Sequence, residues 1–375
     1  MAPLEADAAA QLLAAWGLGE RTVSARCPGR CTLVGDHVDY AGGMVLSCAI
    51  DLEVAVAVRR SPDGVYRASA LGTRVERTEP RSVGDVADRI IAAGVALRRR
   101  GIDVAPFEAA TSATLPDGAG LASSAATICA TTVALVSLVE SRIDSAGVVD
   151  TAFVAEHDVV GVPCGRLDQH AVVEAPRGGA LLFDARADTA SIVPWTLHEH
   201  VLCVCDTAER HSVAGPEYRR RRVECAEAFR RAGIRTAQDS MPGTVRDVTL
   251  QRRLRHVLTE TRRSVEAADA VRSGDAARLG ELMIESHASL RDDYAVSTAT
   301  LDAVATAAHA IDGCLGARMV GGGFGGSVLA LVHVDAAHAC ARAMVDAAGG
   351  APARSWVLRP APGLAVTQAH HMGGG

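Results

Sequence analysis

"LPDGAGLASSAATICATTVALVSLVES", residues 115–141, joins a glycine-rich turn to an apolar segment. Gly118 and Gly120 permit left-handed backbone and the close approach of another group. Ser123 and Ser124 stand where a helix would begin, and the residues after them are apolar nearly all round, which predicts a buried helix. A glycine turn at a helix start presents free amide N–H groups to an anion. On its own, the stretch fits either a phosphate site or an ordinary loop with a helix cap.

Hydrophobic periodicity extends this pattern along the chain. The first half is predicted to be rich in strands around the central helix, and the second half rich in helices. A boundary after Trp195 would divide the chain into domains at 1–196 and 197–375. Strands are predicted at 52–61, 107–116, 178–185, 200–207, 316–320 and 326–334, and helices near the N-terminus, at 85–101, from 217 onward, at 299–311 and at 335–348.

Charge and composition exclude several classes of protein. The 375 residues carry a net charge of −6, and only 3% are aromatic, which argues against binding to nucleic acid. No apolar run is long enough to cross a bilayer, so no membrane association is expected. Every basic residue is arginine. Without lysine there is no Walker A or Schiff-base chemistry, and any phosphate must be held by backbone amides, arginine and metal.

The ten cysteines and the acidic N-terminus predict a cytoplasmic protein. The close pairs Cys27/Cys31 and Cys203/Cys205 lack a second pair at zinc-binding spacing. Most of the cysteines are therefore expected to be small buried apolar residues.

A second stretch, "GRCTLVGDHVDYAGG" at residues 29–43, concentrates polar side chains between glycines. Asp36, His37 and Asp39 would suit a metal site, an acid–base centre or a grip on hydroxyl groups. Their spacing matches no standard metal-ligand set, which weakens the first of these interpretations.

Two further stretches bear on chemistry. Gly321, Gly323 and Gly326 satisfy G-x-G-x-x-G, but "SVLALVHV" follows them and predicts a strand. Because a dinucleotide fingerprint needs a helix at that point, we reject that function and expect a tight strand–loop–strand turn. In "GVPCGRLDQ", residues 161–169, Asp168 could serve as a general base or lie at the surface as a helix cap.

Together and in this order, these stretches resemble the galactokinase family of the GHMP small-molecule kinases. The similarity runs over roughly residues 24–334, and its motifs are specific in type, order and spacing. It implies an α/β (α+β) fold with an N-terminal α/β domain, a ferredoxin-like C-terminal domain and an active site in the cleft between them. It also implies ATP, Mg²⁺ and phosphorylation of a sugar at its anomeric hydroxyl. The matching segments are 26–43, 115–126, 161–169, "ERHSVAGPEYRRRR", "ESHASLRDDYAVS" and "RMVGGGFGGSVLALV".

The resemblance implies a role for each matching position. Asp168 would be the catalytic base and Arg30 the cation beside it. Ser124 would be a Mg²⁺ ligand as well as part of the phosphate loop. The loop that holds the ATP phosphates would comprise Pro116, Gly118, Ala119, Gly120, Leu121, Ser123 and Ser124, and the sugar would be held by Asp36, His37, Asp39, Gly165, Arg166 and Tyr218.

Departures from the family pattern concern the sugar-facing side. Asp36 stands where the family usually has glutamate, and Arg166 replaces a common apolar residue near Asp168. Because aspartate is one methylene group shorter than glutamate, its carboxylate would lie further from the sugar. This change, with a long arginine nearby, would suit an aldose larger than galactose. The pattern is similar to that of natural-product sugar 1-kinases such as the octose 1-kinase of lincosamide antibiotic biosynthesis. An extended-aldose kinase is therefore the first hypothesis and an ordinary galactokinase the second.

Other functions remain open at this level. A sugar and ATP sensor without turnover would lose residues of the serine loop, which are present here, and an N-acetylgalactosamine kinase would need space at C2. A monomer or weak homodimer is expected.

Overall fold

The computed structural model describes residues 3–19, 21–79, 85–209, 215–240, 243–365 and 370–371. Its strands are β1 (Val23–Val34), β2 (Met44–Arg60), β3 (Tyr66–Ala70), β4 (Thr73–Arg77), β5 (Phe107–Ala113), β6 (Gly179–Asp184), β7 (Thr189–Pro194), β8 (His200–Asp206), β9 (Cys314–Val320), β10 (Ser327–His333), β11 (Arg354–Leu358) and β12 (His370–His371). Its α-helices are α1 (Pro3–Trp16), α2 (Val86–Arg99), α3 (Ser123–Leu138), α4 (Ser145–Phe153), α5 (Leu167–Glu174), α6 (Pro216–Ala232), α7 (Val248–Ser273), α8 (Ala276–Asp292), α9 (Ala299–His309) and α10 (Ala337–Ala347).

Strand β2 organises the larger sheet, whose main order is β12-β1-β2-β5-β3-β4. The 17 residues of β2 are long enough to pair with β5 along one half and with β6 along the other. Its antiparallel pairing with β1 shifts register between Pro28 and Gly29. A bulge of this kind re-aims the side chains that follow it, and Arg30 is one of them.

The smaller sheet is antiparallel, in the order β11-β8-β10-β9. Strands β9 and β10 flank the glycine-rich turn at 321–326, as the sequence predicted. A strand and not a helix follows Gly326, which supports the conclusion from the sequence that this turn is not a dinucleotide-binding fingerprint.

Helix α3 is the apolar centre of the first core. It lies against β1 and β2, and its buried threonines donate their hydroxyls to carbonyls four residues earlier, as Thr131 does to Thr127. These internal bonds let polar side chains lie in an apolar core. The burial predicted for this helix is confirmed.

The prediction of a first half with one central helix was too simple. Helix α2 was predicted, but α4 and α5 were not. They span only nine and eight residues, too few for hydrophobic periodicity to identify. A π-helical segment, Val154–Val159, extends α4.

The predicted boundary near residue 196 falls between β7 and β8, which belong to different sheets. However, α7 packs on β1 and β2 across that boundary. The division into 1–196 and 197–375 therefore stays a prediction.

All ten cysteines are free, and nine are buried, as expected for small apolar residues; Cys164 is half-buried. In the part of the chain that the structure describes, no helix has both the length and the apolar character needed to cross a membrane.

Candidate active site

Arg30 and Asp168 form the central ion pair of a cleft. Arg30 lies in β1 and Asp168 in the first turn of α5, and the Nε and Nη2 atoms of Arg30 donate to Asp168 Oδ1 at 2.9 and 2.6 Å. Arg30 Nη1 donates to the carbonyl of Gly120 at 2.6 Å. Burial alone would lower the pKa of Arg30, but the carboxylates of Asp168 and Asp36 raise it above its ordinary value. The pair therefore joins a permanent cation to a carboxylate whose side chain stays 36% exposed.

The glycine turn before α3 forms the floor of the cleft beside this pair. Gly118 and Gly120 have φ values of 69° and 78°, and Ala122, which precedes α3, has a φ of 62° that residues other than glycine rarely adopt. Left-handed backbone at these positions lets the chain pass directly into the helix, whose first amides have no helical partners. The predicted anion site would thus be formed by backbone, and Ser123 and Ser124 line the cleft beside it.

The other predicted loop residues shape this turn from behind. Ala119 and Leu121 are buried, and their carbonyls accept from the Ser327 hydroxyl and the Arg30 amide. Pro116 is not among the described residues that line the cleft.

Glu156 is a site residue that sequence reasoning missed. Ser124 Oγ donates to Glu156 Oε1 at 2.5 Å, and Gln169 Nε2 donates to Oε2 at 2.8 Å. Burial raises the pKa of Glu156, and the nearby Asp168 adds to that rise. Glu156 lies in a π-helical segment, and such segments often occur at functional sites. This signal is visible in the structure but not in the sequence.

The donor set at this point fits Mg²⁺. A serine hydroxyl and a carboxylate are hard oxygen ligands, and Mg²⁺ usually takes one or two of these and completes its shell with water and substrate phosphates. No group of three or more His, Cys, Asp or Glu side chains suited to a metal occurs in the described ranges.

Asp39 and Gly165 lie close together near the Arg30–Asp168 pair. A Cβ atom at Gly165 would lie 2.4 Å from Asp39 Oδ2, so only glycine leaves this carboxylate where it is. Burial and the neighbouring Asp168 raise the pKa of Asp39. Tyr218, from α6, lines the same part of the cleft. The structure brings these three residues to the same cleft as Asp168, and their roles toward a sugar stay a prediction.

Asp36 and His37 line the cleft but are largely occupied by protein partners. Asp36 accepts from Arg318 Nη2 at 2.8 Å and from the Gly321 amide at 3.2 Å. His37 Nδ1 lies 2.9 Å from Tyr40 Oη, and its Nε2 lies 3.1 Å from the Gly322 carbonyl.

The pKa values of Asp36 and His37 also differ from their ordinary values. Burial raises the pKa of Asp36 to about 6 and lowers that of His37 to about 3. His37 is therefore neutral near pH 7, and as a hydrogen-bonded neutral ring it orders the loop that carries Asp36.

Arg166 lies away from the cleft, unlike the prediction. It precedes α5, and its guanidinium pairs with Asp150 and, at 3.0 Å, with Asp188, while its Cζ lies 5.0 Å from the centroid of the Phe153 ring. Two carboxylates and an aromatic face hold the guanidinium, and Arg166 is not among the described residues that line the cleft.

Comparison with known proteins agrees with this geometry. The galactokinase galactose-binding signature matches residues 18–60, the GHMP kinase N-terminal domain matches residues 86–175, and the GHMP kinase C-terminal domain matches residues 267–350. A galactokinase from Chloroflexus aurantiacus is 37% identical over 86% of this chain and 87% of its own. Human galactokinase is 36% identical over 88% of this chain and 89% of its own.

The architecture is also that of a solved enzyme. The crystal structure of Lactococcus lactis galactokinase complexed with galactose superposes with a TM-score of 0.86 at 26% identity, over 95% of this chain and 98% of that one. The mixed α/β two-domain fold predicted from the sequence is confirmed. This chain belongs to the galactokinase family of the GHMP kinases, enzymes that transfer a phosphoryl group to a hydroxyl group.

Proposed function

We propose that this protein transfers the γ-phosphoryl group of ATP to the anomeric hydroxyl of D-galactose, producing α-D-galactose 1-phosphate and ADP. The observation that carries the proposal is the Arg30–Asp168 pair, set between the amide-lined start of α3 and the carboxylate of Asp39. In this arrangement Asp168 would be the base, with the turn before α3 as the site for an anion and Asp39 as the group that binds a hydroxyl. The naming of the relatives as galactokinases supports galactose as the acceptor.

Asp168 would act as the general base. Its carboxylate accepts the proton of the C1 hydroxyl while that oxygen forms a bond to the γ-phosphorus and the bond to the ADP oxygen breaks. Arg30 holds the carboxylate and offsets charge on the transferring group. Because Arg30 Nη1 also bonds the Gly120 carbonyl, one guanidinium fixes the base relative to the phosphate loop.

The amides at the start of α3 would hold the ATP phosphates, and Ser124 with Glu156 would hold Mg²⁺. When bound, Mg²⁺ neutralises charge on the phosphate oxygens. Asp39 and Tyr218 would orient the sugar through hydrogen bonds to its hydroxyls. We also propose that the protein acts in the cytoplasm as a monomer or weak homodimer, and the free cysteines support a reducing compartment.

A second candidate is an aldose larger than galactose, such as a D-glycero-D-galacto octose. The shorter side chain of Asp36 favours it, because its carboxylate is drawn toward Arg318 and Gly321. Arg166, which also suggested a larger sugar, lies outside the cleft and gives this candidate no support.

The decisive experiment measures ADP release with D-galactose, the octose and N-acetylgalactosamine side by side. Galactokinase activity predicts the highest kcat/KM for D-galactose, and a strong preference for the octose would replace it with the second candidate. Asp168→Asn should lower kcat by about 10²- to 10⁴-fold, the range for loss of a general base. A protein that binds sugar and ATP yet releases no ADP with any acceptor would be a sensor, and the proposal would fail.

A further inference from the structure

Arg89 is an arginine of the cleft that the proposed reaction leaves without a role. It lies in the first half of α2 and lines the cleft beside the phosphate loop, together with Asp117, Ser123 and Glu156. Its side chain is 24% exposed. Among the described residues, Arg30 and Arg89 are the two arginines that line the cleft, and Arg30 is committed to Asp168.

The contacts of Arg89 leave part of its guanidinium free. Nη1 donates to Asp117 Oδ1 at 3.2 Å, and the same oxygen accepts the Ser123 hydroxyl at 2.7 Å. The Nε atom of Arg89 is buried and has no hydrogen-bond partner among the residues described. A buried donor without a partner is uncommon in a folded protein, and among the described residues this guanidinium makes a single hydrogen bond, the one to Asp117.

The charge balance of the cleft points the same way. Asp117, Glu156 and Asp168 all line the cavity; Arg30 is paired with Asp168, and the other two carboxylates would repel a triphosphate. The chain has no lysine to offset them. Burial and Asp168 raise the pKa of Glu156, whereas the positive charge of Arg89 lowers it. The Arg89 guanidinium therefore acts electrostatically on a carboxylate beside the start of α3.

We infer that Arg89 is a phosphate-binding residue, held in the cleft by Asp117 and donating to the phosphate oxygens of the bound nucleotide. The inference rests on the proposed function, because ATP is the donor named there. A guanidinium presents several N–H groups in a fixed fork, so Arg89 can keep one bond to Asp117 and direct others at phosphate.

A simpler role must be separated from this one. Arg89 could merely neutralise Asp117, a carboxylate located on a phosphate loop. In that case, removing both charges together would restore nucleotide binding. If Arg89 bonds phosphate, removing Asp117 cannot compensate for its loss.

The test is calorimetric titration of MgADP into the wild-type protein, Arg89→Met, Asp117→Asn and the double variant. We expect Arg89→Met to weaken binding by roughly tenfold or more, as for loss of a charge-assisted hydrogen bond. Asp117→Asn should bind at least as tightly as wild type, and the double variant should stay as weak as Arg89→Met. Wild-type affinity in the double variant, or in Arg89→Met itself, would overturn the inference.

Two controls sharpen the result. Arg99→Met, an exposed arginine in the last turn of the same helix, removes one positive charge without touching the cleft and should leave MgADP binding unchanged. The KM for the sugar should change by less than twofold in Arg89→Met, which excludes a general distortion of the cleft. If wild-type protein fails to bind MgADP, the proposed function itself fails, an outcome distinct from equal binding by wild type and Arg89→Met.

Discussion

Arg318, in β9 at the edge of the smaller sheet, donates to Asp36, in the turn that follows β1 of the larger sheet, at 2.8 Å, although 282 positions separate them in the chain. Arg318 has no exposed surface, and its Nη1 also donates to the carbonyls of Thr32 and Leu33 at 2.9 and 3.2 Å. One side chain of β9 therefore holds the turn that leads from β1 to Asp36 and His37.

Arg318→Met should destabilise the protein strongly. It leaves Asp36 and the fully buried Glu260, 3.7 Å from Arg318, without their shared cation. Removing one partner from a buried ion pair costs about 3–5 kcal/mol. Urea unfolding measures this loss. Arg291→Met, which breaks an exposed pair with Asp292, serves as the matched control and should cost about 1 kcal/mol or less. Equal losses in the two variants would contradict the structural importance of Arg318.

His256 should make stability depend on pH. Its Nε2 lies 3.1 Å from the Asp36 carbonyl, and burial lowers its pKa from 6.5 to about 4. Between those two values the unfolded chain binds a proton that the folded chain does not, so this group's contribution to stability is complete above pH 6.5 and lost as pH falls toward 4.

His256→Gln removes this titration and keeps an N–H donor. We expect the stability advantage of wild type over the variant to shrink by about 2 kcal/mol between pH 7 and pH 4.5. Comparing the two proteins cancels the opposing effect of Asp36, whose pKa is raised to about 6. Parallel stability curves over this range would show that His256 is protonated in the folded state.

Gly165→Ala should impair sugar binding specifically. The added methyl group would press on Asp39 Oδ2, and the side chain of Asp39 would have to turn away from the cleft. Steady-state kinetics should show a sugar KM raised by about tenfold, as for loss of a charge-assisted hydrogen bond. The KM for ATP is the internal control. A matching rise in both constants would mean that the substitution distorts α5 rather than Asp39.

Arg166→Leu should leave sugar selectivity unchanged. Its guanidinium is occupied by Asp150 and Asp188, so removal should cost about 1 kcal/mol of stability, as for partly exposed pairs. The ratio of kcat/KM between D-galactose and the octose should stay within about twofold. A tenfold change in this ratio would show that Arg166 does influence sugar selectivity.

The sequence predicted those parts of the candidate site that a local motif forms. The glycine turn before α3 and the turn between β9 and β10 depend on backbone conformations that glycine alone adopts easily, so their residues identify them. Arg30 and Asp168 were paired by resemblance, and the structure brings them into direct contact.

Residues contributed singly by helices or strands escaped detection. Glu156 and Arg89 belong to segments with no chemical signature, and Arg318, although it begins a segment that matches the family, had no role assigned from the sequence; only tertiary packing brings these three to the cleft or behind it. Arg166 shows the reverse error. Nearness to Asp168 in sequence suggested nearness to the sugar, but Arg166 precedes α5, and its guanidinium pairs with Asp150 and Asp188 instead.

The turn at 321–326 touches both halves of the cleft. Gly321 donates to Asp36, and its backbone packs so closely on Gly120 that a Cβ at Gly321 would lie 3.1 Å from Gly120 Cα. A ligand that displaces this turn from the Asp36 side therefore changes how a second ligand fits on the Gly120 side, and the reverse also holds. Acceptor and donor affinities are then linked thermodynamically, and the factor by which either ligand tightens the other must be the same in both directions.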